Sequence, residues 1–284
     1  MRFGFHVSIT GRIHKAIERA KALDCDCLQI FSRNPIDWKR AKHLTEDIIR
    51  FVNLRKEAKI SPLVVHIPYV VNLASPEDAL YKKSIQAFKQ DLKYAEILQA
   101  EFFVTHLGSH KGKGRESGIK RFGQALKKIL EETNTRIPVL LENTAGSGDY
   151  LGGSFEEIAE IIGKVGERKS LLGLCFDTCH AFAAGYDLAT AEGLETTLKE
   201  IEQLIGLEKL KLLHLNDAKS DCSSHIDRHE DIGKGKIGID GFRRVVNHPK
   251  LRDLPAILET PKMNFEDDKR NMKVIRSLYA EISF

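Results

Sequence analysis

Short apolar runs separated by amphipathic stretches set the rhythm of this chain. Eight runs read as strands, at residues 3–7, 27–31, 63–67, 102–106, 139–142, 172–177, 210–215 and 256–259. Most are continuously apolar rather than alternating, the pattern of parallel strands buried on both faces. The stretches between them carry the helical period. Residues 11–23 align Ile13, Ile17, Ala20 and Leu23 on one face, and residues 77–98 align Leu80, Ile85, Phe88, Leu92, Ala95 and Leu98. Ser75-Pro76-Glu77 reads as an N-cap with proline at the first helical position. Ser154 and Glu157 read as a capping box leading into Ile158, Ile161 and Ile162. Eight strands alternating with helices predict an α/β fold: one (β/α)₈ TIM-barrel domain over residues 1–284, its active site at the C-terminal face of the strands. Residues 217–238 break the rhythm. They are rich in glycine and charge, with little helical pattern, and structured loops of that length usually serve function.

Composition narrows the class without naming it. The apolar runs are strand-length, so no membrane span is expected. The first residues carry charges where a signal peptide needs an apolar stretch, so a cytoplasmic protein is expected. Five cysteines, none in a CxxC pair, argue against a disulfide framework and for reduced, buried thiols. Nothing demands a partner chain, and a monomer is expected. The formal charge of +4, with a pI near 8.7, is a mild excess. It gains meaning for a nucleic-acid partner only if metal ions neutralise some of the carboxylates.

The chemistry lies at the strand ends. His66, His106, Glu142, Asp177, His214 and Glu259 close the third to eighth strands at intervals of 35 to 45 residues, close to one eighth of the 284-residue chain. One imidazole or carboxylate per βα unit, at the same end of each strand, gathers all six at the barrel mouth. A histidine inside an apolar run, such as Val65-His66-Ile67, is by itself most often a hydrogen-bonded core residue. Six successive strand ends are another matter, because burying so many carboxylates without cations costs several kcal/mol each. His180 lies just past the sixth strand, and Asp227 and His229 sit two apart in the long loop. Together these make nine potential ligands, five histidines and four acids. That is too many for one ion, and the mixed nitrogen and oxygen donors suit zinc or manganese better than magnesium. Several ions a few Å apart point to phosphoester hydrolysis. Glu142, Asp177, His214 and Glu259 alone would equally make a divalent-metal sugar isomerase or epimerase, which has no need of the other five.

The motifs resemble the endonuclease IV family of apurinic/apyrimidinic endonucleases along nearly the whole chain. The matching stretches include Phe5-His6-Val7-Ser8, Val65-His66-Ile67-Pro68-Tyr69, His106-Leu107-Gly108-Ser109-His110 and Leu141-Glu142-Asn143-Thr144-Ala145-Gly146. More specific are Asp177-Thr178-Cys179-His180-Ala181-Phe182-Ala183-Ala184-Gly185-Tyr186-Asp187 and Asp227-Arg228-His229-Glu230-Asp231-Ile232-Gly233-Lys234-Gly235. The resemblance implies about three zinc ions, with manganese able to replace one. His66, His106 and bridging Glu142 would hold the first. Glu142, Asp177, His214 and Glu259 would hold the second, and His180, Asp227 and His229 the third. It implies a repair enzyme of base excision that binds double-stranded DNA. It would hydrolyse the phosphodiester 5′ to an abasic site, leaving a 3′-hydroxyl and a 5′ deoxyribose phosphate, and remove 3′ blocking groups. Glu142 and Glu259 are its implied catalytic carboxylates.

Family members bend the duplex and flip the abasic nucleotide out, filling the gap with side chains. The corresponding positions are Arg33 and Ile36 after the second strand and Tyr69 and Val70 after the third. Ile36 stands where the family commonly has arginine, which removes a cation from that loop. Lys111, Lys113 and Arg228 lie in loops of the metal-bearing end and are expected to contact phosphates, within a wider basic set of Arg115, Lys120, Arg121, Lys219, Lys234 and Lys236. Ala218 and the Cys222-Ser223-Ser224 stretch also depart from the family pattern, away from the ligand positions.

Overall fold

Eight parallel strands close into a barrel in the computed structural model, which describes residues 1–39, 44–261 and 265–279. In chain order the strands are β1 (Arg2–His6), β2 (Cys27–Phe31), β3 (Leu63–His66), β4 (Phe102–Thr105), β5 (Val139–Glu142), β6 (Leu172–Asp177), β7 (Leu210–Leu215), β8 (Asp217–Ala218), β9 (His229–Glu230) and β10 (Pro255–Leu258). The barrel runs β1-β10-β7-β6-β5-β4-β3-β2, and β8 pairs with β9 as a separate antiparallel ladder. Each strand the sequence pattern predicts is present, with ends shifted by at most one residue.

Helices wrap the outside because one stripe of each is apolar. The helix Asp78–Ile97 buries Ile85, Phe88, Leu92 and Ala95 against the barrel. Two expected helix starts and one expected capping box differ from the structure. The first helix begins at Lys15 rather than near Gly11, since the Arg19 guanidinium donates to the carbonyls of Ser8 (2.6 Å) and Thr10 (2.9 Å) and holds residues 8–11 as a loop. The helix near Ser75 starts only at Asp78, and Ser75 Oγ accepts from the Glu77 amide instead (3.2 Å). Ser154 does cap the helix Phe155–Lys164 by position, but no side-chain bond closes a capping box. Glu157 is engaged elsewhere: one oxygen accepts from Arg115 Nε (2.6 Å) and the other from the Gly152 amide (2.5 Å). With an arginine on one oxygen and a backbone amide on the other, the carboxylate is held away from the cap.

Inside the barrel, seven strands each send one apolar side chain to a common layer: Cys27, Val64, Val104, Leu140, Cys175, Leu212 and Ile257. At β1 the place falls to Gly4, where a Cβ would lie 2.1 Å from the Cys27 carbonyl oxygen. Side chains alternate along a strand, so the residue two further on faces inward again, one step nearer the C-terminal mouth. Those residues are His6, Gln29, His66, His106, Glu142, Asp177, His214 and Glu259. The layer of packed hydrocarbon is therefore the floor on which a ring of polar groups stands. Among the described residues, no helix is long and apolar enough to cross a membrane.

Candidate metal centre

The ring places imidazole nitrogens against carboxylate oxygens. Glu142 Oε2 lies 3.0 Å from Nε2 of both His66 and His106, while Oε1 lies 2.8 Å from His214 Nδ1. Glu259 Oε2 is 3.3 Å, and Asp177 Oδ2 3.8 Å, from that same His214 nitrogen. Beyond β6 the helix Thr178–Ala184 brings His180 back over the mouth, its amide held by Asp177 Oδ1 (2.8 Å). The β8–β9 ladder sets His229 opposite Ala218 and delivers Asp227, whose oxygens lie 3.2 Å from His180 Nε2 and 3.4 Å from His229 Nε2. All nine sequence-predicted ligands thus meet in one place. Four groups have ligand atoms mutually within 4.8 Å: His66, His106 and Glu142; Glu142, Asp177, His214 and Glu259; Asp177, His180 and His229; and Cys179, Asp227 and His229.

The third group adds Asp177 to His180 and His229, while Asp227, which faces both of those imidazoles, also groups with His229 and Cys179. Cys179 is a poor donor as it stands. Burial pushes its thiol far up, and the S–H is turned to the Arg228 carbonyl at 3.6 Å.

Electrostatics explain how so much charge is tolerated. Burial alone would neutralise Glu142, but His214 and His106 hold it well below the usual carboxylate range. Burial would likewise keep His180 and His229 neutral, yet Asp177 and Asp227 raise His180 to about 10, and Asp227 with Asp177 raises His229 to about 9. Three imidazoles are locked by their other nitrogen. His66 Nδ1 bonds the Ile67 carbonyl (2.7 Å), His180 Nδ1 that of Asn143 (2.9 Å) and His229 Nδ1 that of Glu259 (2.8 Å). Each Nε2 then faces a carboxylate across a gap that must hold positive charge, a proton or a metal ion. The nitrogen and carboxylate donors fit zinc or manganese.

Sequence reasoning missed the residues that orient this ring. Gln29 Oε1 meets His214 Nε2 (2.9 Å), and its Nε2 donates to Glu259 Oε1 (2.7 Å), which His6 Nδ1 also approaches at 2.7 Å. Asn216 donates to Asp177 Oδ2 (2.6 Å), and Asn143 Oδ1 accepts from the Asp177 amide (2.8 Å). The signal was the two-residue step: His6 and Gln29 complete the same inward row as the ligands, on the two strands that lack one.

The expected DNA-contacting residues separate into two kinds. Ile36 is 77% and Tyr69 58% exposed at the mouth, with the Tyr69 ring 5.3 Å from Phe31 and 5.7 Å from His106; Val70 beside it is half-buried. Lys113 and Arg228 are exposed, and Lys111 is exposed with its Nζ 2.9 Å from Glu77. Arg33 is a correction. Its guanidinium is 2% exposed, lies against Asp91 at 3.1–3.3 Å and donates to the Asp37 carbonyl, so it shapes the loop from below and offers nothing to a phosphate. Arg115 and Arg121 are likewise spent on Glu157 with Glu160 and on Asp78.

Comparison with known proteins agrees with this architecture. The family model described as the xylose isomerase-like TIM barrel matches residues 12–280. The probable endonuclease 4 of Halothermothrix orenii is 44% identical over 267 residues, 94% of this chain and 96% of its own. That of Methanosphaerula palustris is 44% identical over 281 residues, 98% of each chain. The crystal structure of endonuclease IV from Thermus thermophilus superposes with a TM-score of 0.87 at 36% identity, covering 98% of both chains. A D-tagatose 3-epimerase-like protein, 20% identical over 98% of this chain and 97% of its own, has a TM-score of 0.73 and shares the fold alone. Sugar epimerases thus share the barrel, but the sequence likeness runs end to end with the nucleases, and the chain belongs to the endonuclease IV family.

Proposed function

We propose that this protein is a zinc-dependent apurinic/apyrimidinic endonuclease of DNA base excision repair, acting in the cytoplasm on double-stranded DNA. It cleaves the phosphodiester 5′ to an abasic site, leaves a 3′-hydroxyl and a 5′ deoxyribose phosphate, and removes 3′ blocking groups. The observation that carries the reading is the convergence of all nine side chains, in donor groups joined through Glu142, Asp177 and His229. The sugar isomerase alternative uses only Glu142, Asp177, His214 and Glu259 and leaves His66, His106, His180, Asp227 and His229 without a role.

His66, His106, Glu142, Asp177, His180, His214, Asp227, His229 and Glu259 would hold about three zinc ions, with manganese able to replace one. When bound, the ions supply Lewis-acid activation of water and neutralise charge on the phosphate and the departing oxygen. The protein's own part is orientation and proton handling. Glu142 stays ionised in a buried site and faces three imidazoles, so it can orient the attacking water and take its proton. Glu259 is fixed at one oxygen by His6 and Gln29 and presents the other inward. Ile36 and Tyr69 stand at the rim on neighbouring loops, where exposed apolar groups can wedge into a stack and fill the space of an extruded nucleotide. Arg228 and Lys113 supply phosphate contacts.

A duplex oligonucleotide with a single tetrahydrofuran abasic analogue tests this reading, since the analogue cannot undergo β-elimination. The zinc-loaded protein should incise it 5′ to the lesion and leave an end that a polymerase extends. An intact duplex after prolonged incubation would rule the activity out.

A further inference from the structure

The long loop raises a problem that the ring of ligands leaves open. Asp227 and His229 belong to an arm that leaves the barrel after β8 and returns before the helix Gly238–Asn247. An irregular arm of this length has to be ordered by something if two of its side chains are to land within bonding range of a metal.

Asp217 stands at its base with 0% exposure. Its Oδ2 accepts the amides of Gly233 and Gly235, both at 2.9 Å. Its Oδ1 accepts those of Ala218 (2.8 Å) and Ile237 (3.0 Å), with Gly238 at 3.4 Å. Among the described residues, backbone amides rather than cations face this carboxylate: the loop folds around it as around a bound anion. The sequence of the returning segment is built for that approach. Gly233 sits at φ +81°, and a Cβ on Gly235 would lie 2.4 Å from the Ala218 carbonyl oxygen and 2.5 Å from Asp217 Oδ1. The same closure brings the Lys236 amide to the Ala218 carbonyl (2.8 Å) and the Lys219 amide to that of Arg228 (2.9 Å), so the returning end of the arm is tied to β8 and its middle to the residue that follows β8.

We infer that Asp217 is a positioning residue: its carboxylate prefolds the metal-binding arm, placing Asp227 and His229 before any ion arrives. The inference rests on the proposed metal reading for its consequence, and on the hydrogen bonds alone for the clamp itself. An amide in place of the carboxylate would turn an NH₂ toward two backbone N–H groups. Asp217→Asn should therefore release the arm while leaving the ring on β3–β7 and β10 intact.

Zinc content by elemental analysis, with competition by a chelator, reads the result. Asp217→Asn should lose one zinc equivalent preferentially, with the affinity of that ion weakened by about 10–100-fold. Gly235→Ala disturbs the contact from the other side and should match it. Should the variants fail to fold, hydrogen exchange on chelator-treated wild-type protein decides: the amides of Gly233, Gly235 and Ile237 should remain protected. Full zinc at wild-type affinity in both variants, or loss of that protection in the wild type, would overturn the inference. Failure of the wild type to incise abasic DNA would sink the nuclease reading and leave this one standing.

Discussion

Replacing Asp91 by alanine should destabilise this protein far more than removing a surface carboxylate does. Asp91 lies on the helix Asp78–Ile97, and its two oxygens face Arg33 Nε and Nη2 at 3.1–3.3 Å, with side-chain exposures of 2% for Arg33 and 1% for Asp91. Exposed ion pairs contribute at most about 1 kcal/mol. Removing one member of a buried pair strands the other charge without water, at a cost of about 3–5 kcal/mol. For a 284-residue chain, at about 2.1 cal/mol/K of unfolding entropy per residue, that is a fall in melting temperature of about 5–8 °C. The double variant Arg33→Met/Asp91→Leu removes both charges and should recover most of the loss. Equilibrium unfolding in guanidinium chloride measures both.

The single tryptophan, Trp38, adds a local reporter. The Arg33 guanidinium lies 5.8 Å from its ring and Lys83 Nζ 4.2 Å, so its emission should shift in Asp91→Ala even where the barrel stays folded. Lys111→Ala is the control, because its partnership with Glu77 is exposed on both sides and should be worth no more than about 1 kcal/mol. A loss below about 1 kcal/mol in Asp91→Ala would refute the reasoning, because it would equal that of an exposed pair, and Arg33 would then be free to meet DNA after all.

Other expectations follow from the same geometry. If the proposed zinc assignment holds, His229→Ala should release about one metal equivalent and keep the rest, as read by elemental analysis; unchanged metal with unchanged activity would mean that the third position is misassigned. Ile36→Arg puts a cation on an exposed loop tip and should tighten binding to abasic duplex at moderate salt, with the slope of log K against log salt steeper by about 0.9. An identical slope would show that the tip faces away from the backbone. Among the five thiols, Cys25, Cys27, Cys175 and Cys179 are buried and Cys222 is half-buried. Burial pushes Cys25 up to about 12, so at about pH 8 a thiol reagent should modify one cysteine per native chain, at Cys222, and five after denaturation.

The sequence by itself determined the barrel and most of the ring, for a periodic reason. Parallel strands buried on both faces must be continuously apolar, so one His, Asp or Glu at the end of each of six such runs stands out, and equal spacing assigns them all to one mouth. The two-residue step from Cys27, Val64, Val104, Leu140, Cys175, Leu212 and Ile257 to the polar groups above them gives that regularity its physical form. The remainder depended on which side chains meet across the fold. Arg33 looked like a surface cation in a loop, and only the packing of the Asp78–Ile97 helix supplied Asp91 and took the guanidinium out of solvent. His6 and Gln29 are ordinary members of their own strands and acquire a role because β1 and β2 close the barrel beside Glu259. The capping box at Ser154 and Glu157 was lost to Arg115, 42 residues from Glu157 in sequence. The arm around Asp217 carries no periodic signal, since its order comes from one carboxylate gathering amides up to 21 residues away. Local pattern reaches as far as the period of the backbone; charge pairing and hydrogen bonding between distant segments are set by tertiary closure.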